Sequence, residues 1–128
     1  MKKIIILIVL LCFITGCSSN KEEIARVEMI TTSEVKSIID NYDKNKDVVI
    51  IDVRTESEYK SGHLKEAVNV PVSEISSIEY DKDTKIIVYC RSGSRSANAA
   101  KMLSEMGYSK VLDMGGIINW EYEVVVEE

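Results

Sequence analysis

Short apolar runs alternate along this chain with longer polar and charged stretches. Val48-Val49-Ile50-Ile51 and Ile86-Ile87-Val88-Tyr89 are continuous apolar runs bounded by charge, the pattern of strands buried on both faces of a parallel sheet. Ala67-Val68-Asn69-Val70 predicts a third strand, stopped by Pro71, and Lys110-Val111-Leu112 a fourth. Helical spacing falls between them. Thr31-Thr32-Ser33-Glu34 is a capping box with Thr31 at the N-cap, and Val35, Ile38, Ile39 and Tyr42 follow on one face. Ala97, Ala100, Leu103 and Met106 predict the apolar face of a second helix, which Gly107 ends. Ser73 to Ile78 suits one or two helical turns, while Val124-Val125-Val126 either pairs at a sheet edge or covers the core. Strands alternating with helices predict a three-layer α/β domain, a central parallel sheet with helices on both faces.

The amino terminus has a different pattern. Lys2 and Lys3 precede eleven apolar residues, Ile4 to Ile14, and a small-residue site follows, which is the layout of an export signal. A bilayer span needs about 20 residues, so this run is a leader. Its end, Ile14-Thr15-Gly16-Cys17, resembles a bacterial lipobox, which implies that Cys17 carries lipid such as palmitate and becomes the first mature residue. Two or more acyl chains anchor stably. The expected organisation is a signal peptide over 1–16, the lipidated Cys17 and a tether over 17–28, and a folded domain over 29–128. The expected location is the extracytoplasmic face of a bacterial cell membrane. Loss of Lys2 and Lys3 leaves 14 basic against 21 acidic residues, a net charge of −7, which argues against nucleic acid as a partner. The remaining 112 residues suffice for one domain with one core.

Cysteine usage then narrows the chemistry. Cys12 leaves with the leader and Cys17 carries lipid, so Cys90 remains alone and no disulfide framework forms. Cys90 opens the run Cys90-Arg91-Ser92-Gly93-Ser94-Arg95-Ser96, directly after a predicted strand and directly before a predicted helix. The unpaired N–H groups and dipole of that helix favour an anion in the loop, and the anion a Cys supplies is the nucleophilic thiolate. Core filling is the plainer role for a free thiol, but it does not call for two arginines and a hydroxyl-rich turn. Asp52 ends another apolar run, with Arg54 two residues on; the two either border the site or form a structural ion pair. His63 is the single histidine and the one ordinary base for neutral pH, yet a thiolate held by amides needs none. One His and one thiol do not make a tetrahedral metal site, and no cofactor is predicted. Trp120 and the methionines are expected in the core.

Three blocks in order resemble the rhodanese (thiosulfate sulfurtransferase) domain. Asp52-Val53-Arg54 with Glu58-Tyr59 and Gly62-His63-Leu64, continuing into Ala67, Asn69 and Pro71, resembles the family's first block. Cys90 to Ser96 resembles its active loop, and Gly107-Tyr108, Val111, Leu112, Gly115-Gly116 and Trp120 its closing block. The resemblance implies a rhodanese-like fold, with Cys90 catalytic and Arg91, Ser92, Gly93, Ser94 and Arg95 forming the substrate cradle. In the expected reaction Cys90 takes sulfane sulfur from a small anionic donor such as thiosulfate and passes it to a thiol or cyanide acceptor. Arg91 and Arg95 either neutralise the donor, or one of them pairs with Glu58 or Asp52 to brace the loop. The cradle is six residues long from Cys90 to Arg95, whereas a tyrosine-phosphatase-type loop needs one more residue before its Arg, a position held here by Ser96. The shorter ring suits a single sulfur atom better than a tetrahedral phosphate, which disfavours phosphatase or arsenate reductase chemistry. A dedicated persulfide carrier or binding module for a membrane partner is the other reading.

Overall fold

The computed structural model describes residues 26–128. The predicted leader, the Cys17 lipidation site and the tether as far as residue 25 lie outside them. Five strands form one parallel sheet, β1 (Glu28–Met29), β2 (Val48–Asp52), β3 (Ala67–Asn69), β4 (Lys85–Cys90) and β5 (Lys110–Gly116), in the spatial order β1-β5-β4-β2-β3. Helices α1 (Thr32–Asp40), α2 (Glu56–Lys60) and α3 (Ser94–Glu105) connect them, with short 3-10 turns at Tyr42–Lys44, Val72–Ser77 and Ile117–Asn119.

The two continuous apolar runs lie side by side at the middle of the sheet, with Ile50 opposite Ile87 and Asp52 opposite Tyr89. Their side chains alternate between two cores. Ile86, Val88 and Cys90 pack with Ala99, Ala100, Leu103 and Tyr108 beneath α3, while Ile87 and Tyr89 pack with Val35, Ile39 and Leu64 beneath α1. This period of two is what a strand covered on both faces requires. Ile50, Ile51, Ile86, Ile87 and Val88 are fully buried. Full burial of each such side chain contributes about 1.5–3 kcal/mol.

Several sequence expectations shift. Helix α1 carries the capping box at Thr31, with Glu34 Oε2 accepting from the Thr31 N–H at 2.9 Å, but Tyr42 lies beyond its end and opens a 3-10 turn. Val70 falls outside β3, while the helical turns expected from Ser73 to Ile78 form as a 3-10 stretch over Val72–Ser77. The α3 stripe is displaced: Ala97 is exposed and Met106 half-buried, and the buried positions are Ser96, Ala99, Ala100, Leu103 and Ser104. Ser96 occupies the first place of that i, i+3, i+4, i+7 face, so a hydroxyl conceals the period. Strand β5 runs on to Gly116, with one extra residue opposite Val88 and Tyr89, a bulge that bends it next to the site. The terminal valines do not join the sheet. They are exposed, and Val125 makes one antiparallel bridge to His63. Trp120 is only partly buried, donating from its indole Nε1 to the Glu123 carbonyl at 3.1 Å.

Candidate active site

Cys90 is the last residue of β4, one step beyond the point where Tyr89 faces Asp52. Its residue is 1 % exposed, and it is the free cysteine among the described residues. The chain then turns through Arg91 and Ser92 to Gly93, which takes φ +110° and serves as the N-cap of α3 without offering a side-chain cap. A side chain at that φ would be strained, which accounts for glycine there. The helix start is left with donors to spend.

Those donors go to sulfur. The Gly93 N–H donates to Cys90 Sγ at 3.0 Å. Burial, the largest single influence on the thiol, pushes its pKa up. The Ser96 hydroxyl and the Ser96, Gly93 and Ser92 N–H groups together outweigh that and hold it below the ordinary thiol value. Ser96 stands at the third helical position, whose N–H a capping side chain normally takes, so Cys90 Sγ fills the place of the absent cap. The Ser96 hydroxyl has one proton to give. It lies 3.1 Å from the Gly93 carbonyl, and rotation about its C–O bond lets it serve the thiolate instead.

The loop is held from three sides. Gly116 lies opposite Cys90 in the register of β4 and β5, and a Cβ on Gly116 would come within 2.4 Å of the Arg91 carbonyl oxygen and 2.8 Å of the Ser92 Cα. Only glycine allows the loop to lie so close. The Ile118 N–H donates to the Arg91 carbonyl at 3.2 Å. On the outer side, Arg95 makes a bidentate pair with Glu58, Nη1 to Oε1 at 2.7 Å and Nη2 to Oε2 at 2.9 Å. Glu58 also caps α2, accepting from the Thr55 hydroxyl at 3.1 Å. Its carboxyl is pulled down to about 2, chiefly by the Arg95 hydrogen bonds. Arg95 is thus the arginine that braces the loop, with Glu58 as its carboxylate. Arg91 and Ser94 are exposed at the rim.

Asp52 and Arg54 form a buried ion pair beside this loop. Arg54 donates from Nε at 3.0 Å and from Nη2 at 2.6 Å to the Asp52 carboxylate, and from the same Nη2 to the Gly62 carbonyl at 2.7 Å. The Arg54 backbone N–H adds a bond to Asp52 Oδ1 at 2.9 Å. Asp52 is therefore occupied within its own turn, and Asn69 Nδ2 closes that turn by donating to the Asp52 and Arg54 carbonyls at 3.0 and 2.9 Å. His63 lies away from the thiol, with its ring stacked on Tyr59 at 3.8 Å and its nitrogens against the Leu64 carbonyl and Glu127. No group of three His, Cys, Asp or Glu side chains among the described residues is placed to hold a metal.

Sequence reasoning passed over two contributors, Ser96 as a sulfur donor and Gly116 as the floor of the loop. The signal for Ser96 was its place three residues after an N-cap glycine. For Gly116 there was only the paired glycine, whose partner across the sheet no local pattern reveals.

Residues 31–123 match the model of the Rhodanese-like domain. The chain is 35% identical over 95 residues to a protein named sulfurtransferase from Allochromatium vinosum, covering 72% of this chain and 89% of that one. It is 39% identical over 71 residues to thiosulfate sulfurtransferase PspE of Escherichia coli, covering 52% and 68%. A solved structure described as a rhodanese with anions from E. coli superposes with a TM-score of 0.57 at 34% identity, covering 62% of this chain and 98% of that one. A cysteine buried at a strand end with its sulfur in the cap position of the next helix, on a doubly covered parallel sheet, is how this chain realises the family to which it belongs, the rhodanese-like domains whose relatives here are sulfurtransferases.

Proposed function

We propose that the protein is a sulfurtransferase anchored at the extracytoplasmic face of a bacterial membrane, moving sulfane sulfur through a persulfide on Cys90. The observation that carries this reading is the set of donors converging on one buried sulfur, Gly93 N–H at 3.0 Å together with Ser92 and Ser96. Such a cradle stabilises a thiolate and, after transfer, an anionic terminal sulfur.

The Cys90 thiolate attacks the outer sulfur of thiosulfate. The new S–S bond forms as the donor's S–S bond breaks, and its electron pair leaves with sulfite. A thiol-derived thiolate or cyanide then attacks the outer sulfur of the persulfide, and the electron pair of that bond returns to Cys90 as thiolate. Thiosulfate as donor has the support of the E. coli relative's name. The exposed Arg91 is the rim cation that meets the donor's charge, which an acidic domain would otherwise repel.

The test is turnover. The purified domain should convert thiosulfate and cyanide to sulfite and thiocyanate with ping-pong kinetics, and Cys90→Ser should abolish it. Ready hydrolysis of an aryl phosphate with no sulfur uptake would replace this reading with a phosphatase. Anchoring is tested separately, since Cys17→Ala should abolish lipid labelling of the full chain and unchanged labelling would refute it.

A further inference from the structure

The bidentate pair between Arg95 and Glu58 leaves the loop with less charge than its sequence promises. Two arginines flank the thiol in sequence, but both terminal nitrogens of Arg95 face Glu58 at 2.7 and 2.9 Å, and the carboxylate stays ionised down to about pH 2. The pair is electrically neutral at any working pH. With Asp52 and Arg54 also paired, Arg91 is, among the described residues, the arginine of the loop that stands exposed without a carboxylate partner.

We propose that Glu58 is a specificity-determining residue, which withholds the charge of Arg95 from the Cys90 loop so that the loop does not retain oxyanions that carry no transferable sulfur. A sulfane donor passes this filter because its sulfur is captured covalently. Sulfate and phosphate depend on non-covalent attraction alone, and so does the sulfite released in each turnover. This inference rests on Cys90 as the reactive thiol but goes beyond the persulfide reading, because it concerns which anions the loop holds. The acidic partner of Arg95 comes from a separate element, α2.

Protection of Cys90 from iodoacetamide by sulfate tests this without any sulfur donor. In the wild-type domain sulfate should protect weakly. Glu58→Gln keeps a capping side chain for Thr55 but ends the neutral pair, and the sulfate concentration giving half-protection should fall at least about tenfold, the scale of one added charge near a partly exposed anion. Adding Arg95→Met to that variant should return protection to the weak level, which assigns the gain to Arg95. A Glu58→Gln domain that folds, shown by an unchanged circular dichroism spectrum, and binds sulfate no better than wild type overturns the proposal. So does a gain that survives loss of Arg95. Should Glu58→Gln fail to fold, Glu58→Asp gives the second measurement: its shorter arm loosens the pair, and sulfate protection should rise partway, with no rise counting against the inference. Sulfur uptake, read by mass in the same samples, fails independently if the persulfide reading is wrong.

Discussion

Two strand-to-helix turns stand side by side at the carboxyl end of the sheet, and they dispose of their polar groups in opposite ways. Strand β2 ends at Asp52, which is fully buried and satisfied by Arg54 from its own turn, and the helix that follows is capped by Thr55 and Glu58. Strand β4 ends at Cys90, equally buried, but its helix has no side-chain cap, and the hydrogen bonds to its sulfur come from the loop and the first helical turn. The first turn is closed internally. In the second, unpaired amide donors converge on a polarisable atom, which is where an anion can form and be exchanged. Neighbouring turns of similar construction thus diverge into a closed brace and an open cradle of donors through what stands at the strand end and whether the helix brings its own cap.

Breaking the closed turn should have the largest effect. Asp52→Ala leaves the Arg54 guanidinium buried without its partner, a loss of about 3–5 kcal/mol; urea unfolding at neutral pH measures it. A loss below about 1 kcal/mol, the level of an exposed pair, would mean that the turn is not closed as described. Next comes the floor of the open turn. Gly116→Ala pushes a Cβ into the Arg91 carbonyl, which should cost about 1–3 kcal/mol as overpacking and displace the loop. Its signature is slower alkylation of Cys90, whereas Asp52→Ala should destabilise first and alter reactivity second.

Ordinary capping lies below these. Thr55→Ala removes a hydroxyl that accepts from the Glu58 N–H at 3.3 Å and donates to its carboxylate, for about 1 kcal/mol. Ser96→Ala sharpens the comparison from the other side. It removes the one side-chain donor to the thiolate, so the thiol becomes less acidic and the pH profile of iodoacetamide alkylation moves to higher pH, with little change in stability.

How much of this contrast was legible in the sequence depended on its range. The apolar runs of β2 and β4, the capping box at Thr31 and the Cys90 loop are all local patterns, and each stands where the pattern put it. Helix α2 went unread although Thr55 and Glu58 repeat the same box, because it is five residues long and buries none of them, leaving no apolar period to see. Strand β1 has two exposed residues and no pattern at all. Which arginine braces the loop, Arg91 or Arg95, and whether through Glu58 or Asp52, stayed open because nothing local says that Arg54 folds back onto Asp52. Long-range complementarity of this kind is fixed by the fold.

The smallest effect belongs to the link between the two turns. Glu58 has a folded pKa of about 2 against an ordinary 4.5, so its pairing stabilises above about pH 4.5 and is lost as pH falls toward 2. Both partners are about one-third exposed, and the contribution is under about 1 kcal/mol. The stability difference between wild type and Glu58→Gln should be present at pH 7, shrink below pH 4.5 and fall further in high salt.

The central claim is that the uncapped turn makes Cys90 a sulfur carrier. Intact-mass measurement of the domain after incubation with thiosulfate and removal of excess reagent tests it most directly. The account predicts a gain of one sulfur atom, absent in Cys90→Ser and discharged by cyanide with release of thiocyanate. An unchanged mass in a folded domain whose Cys90 still alkylates would contradict it.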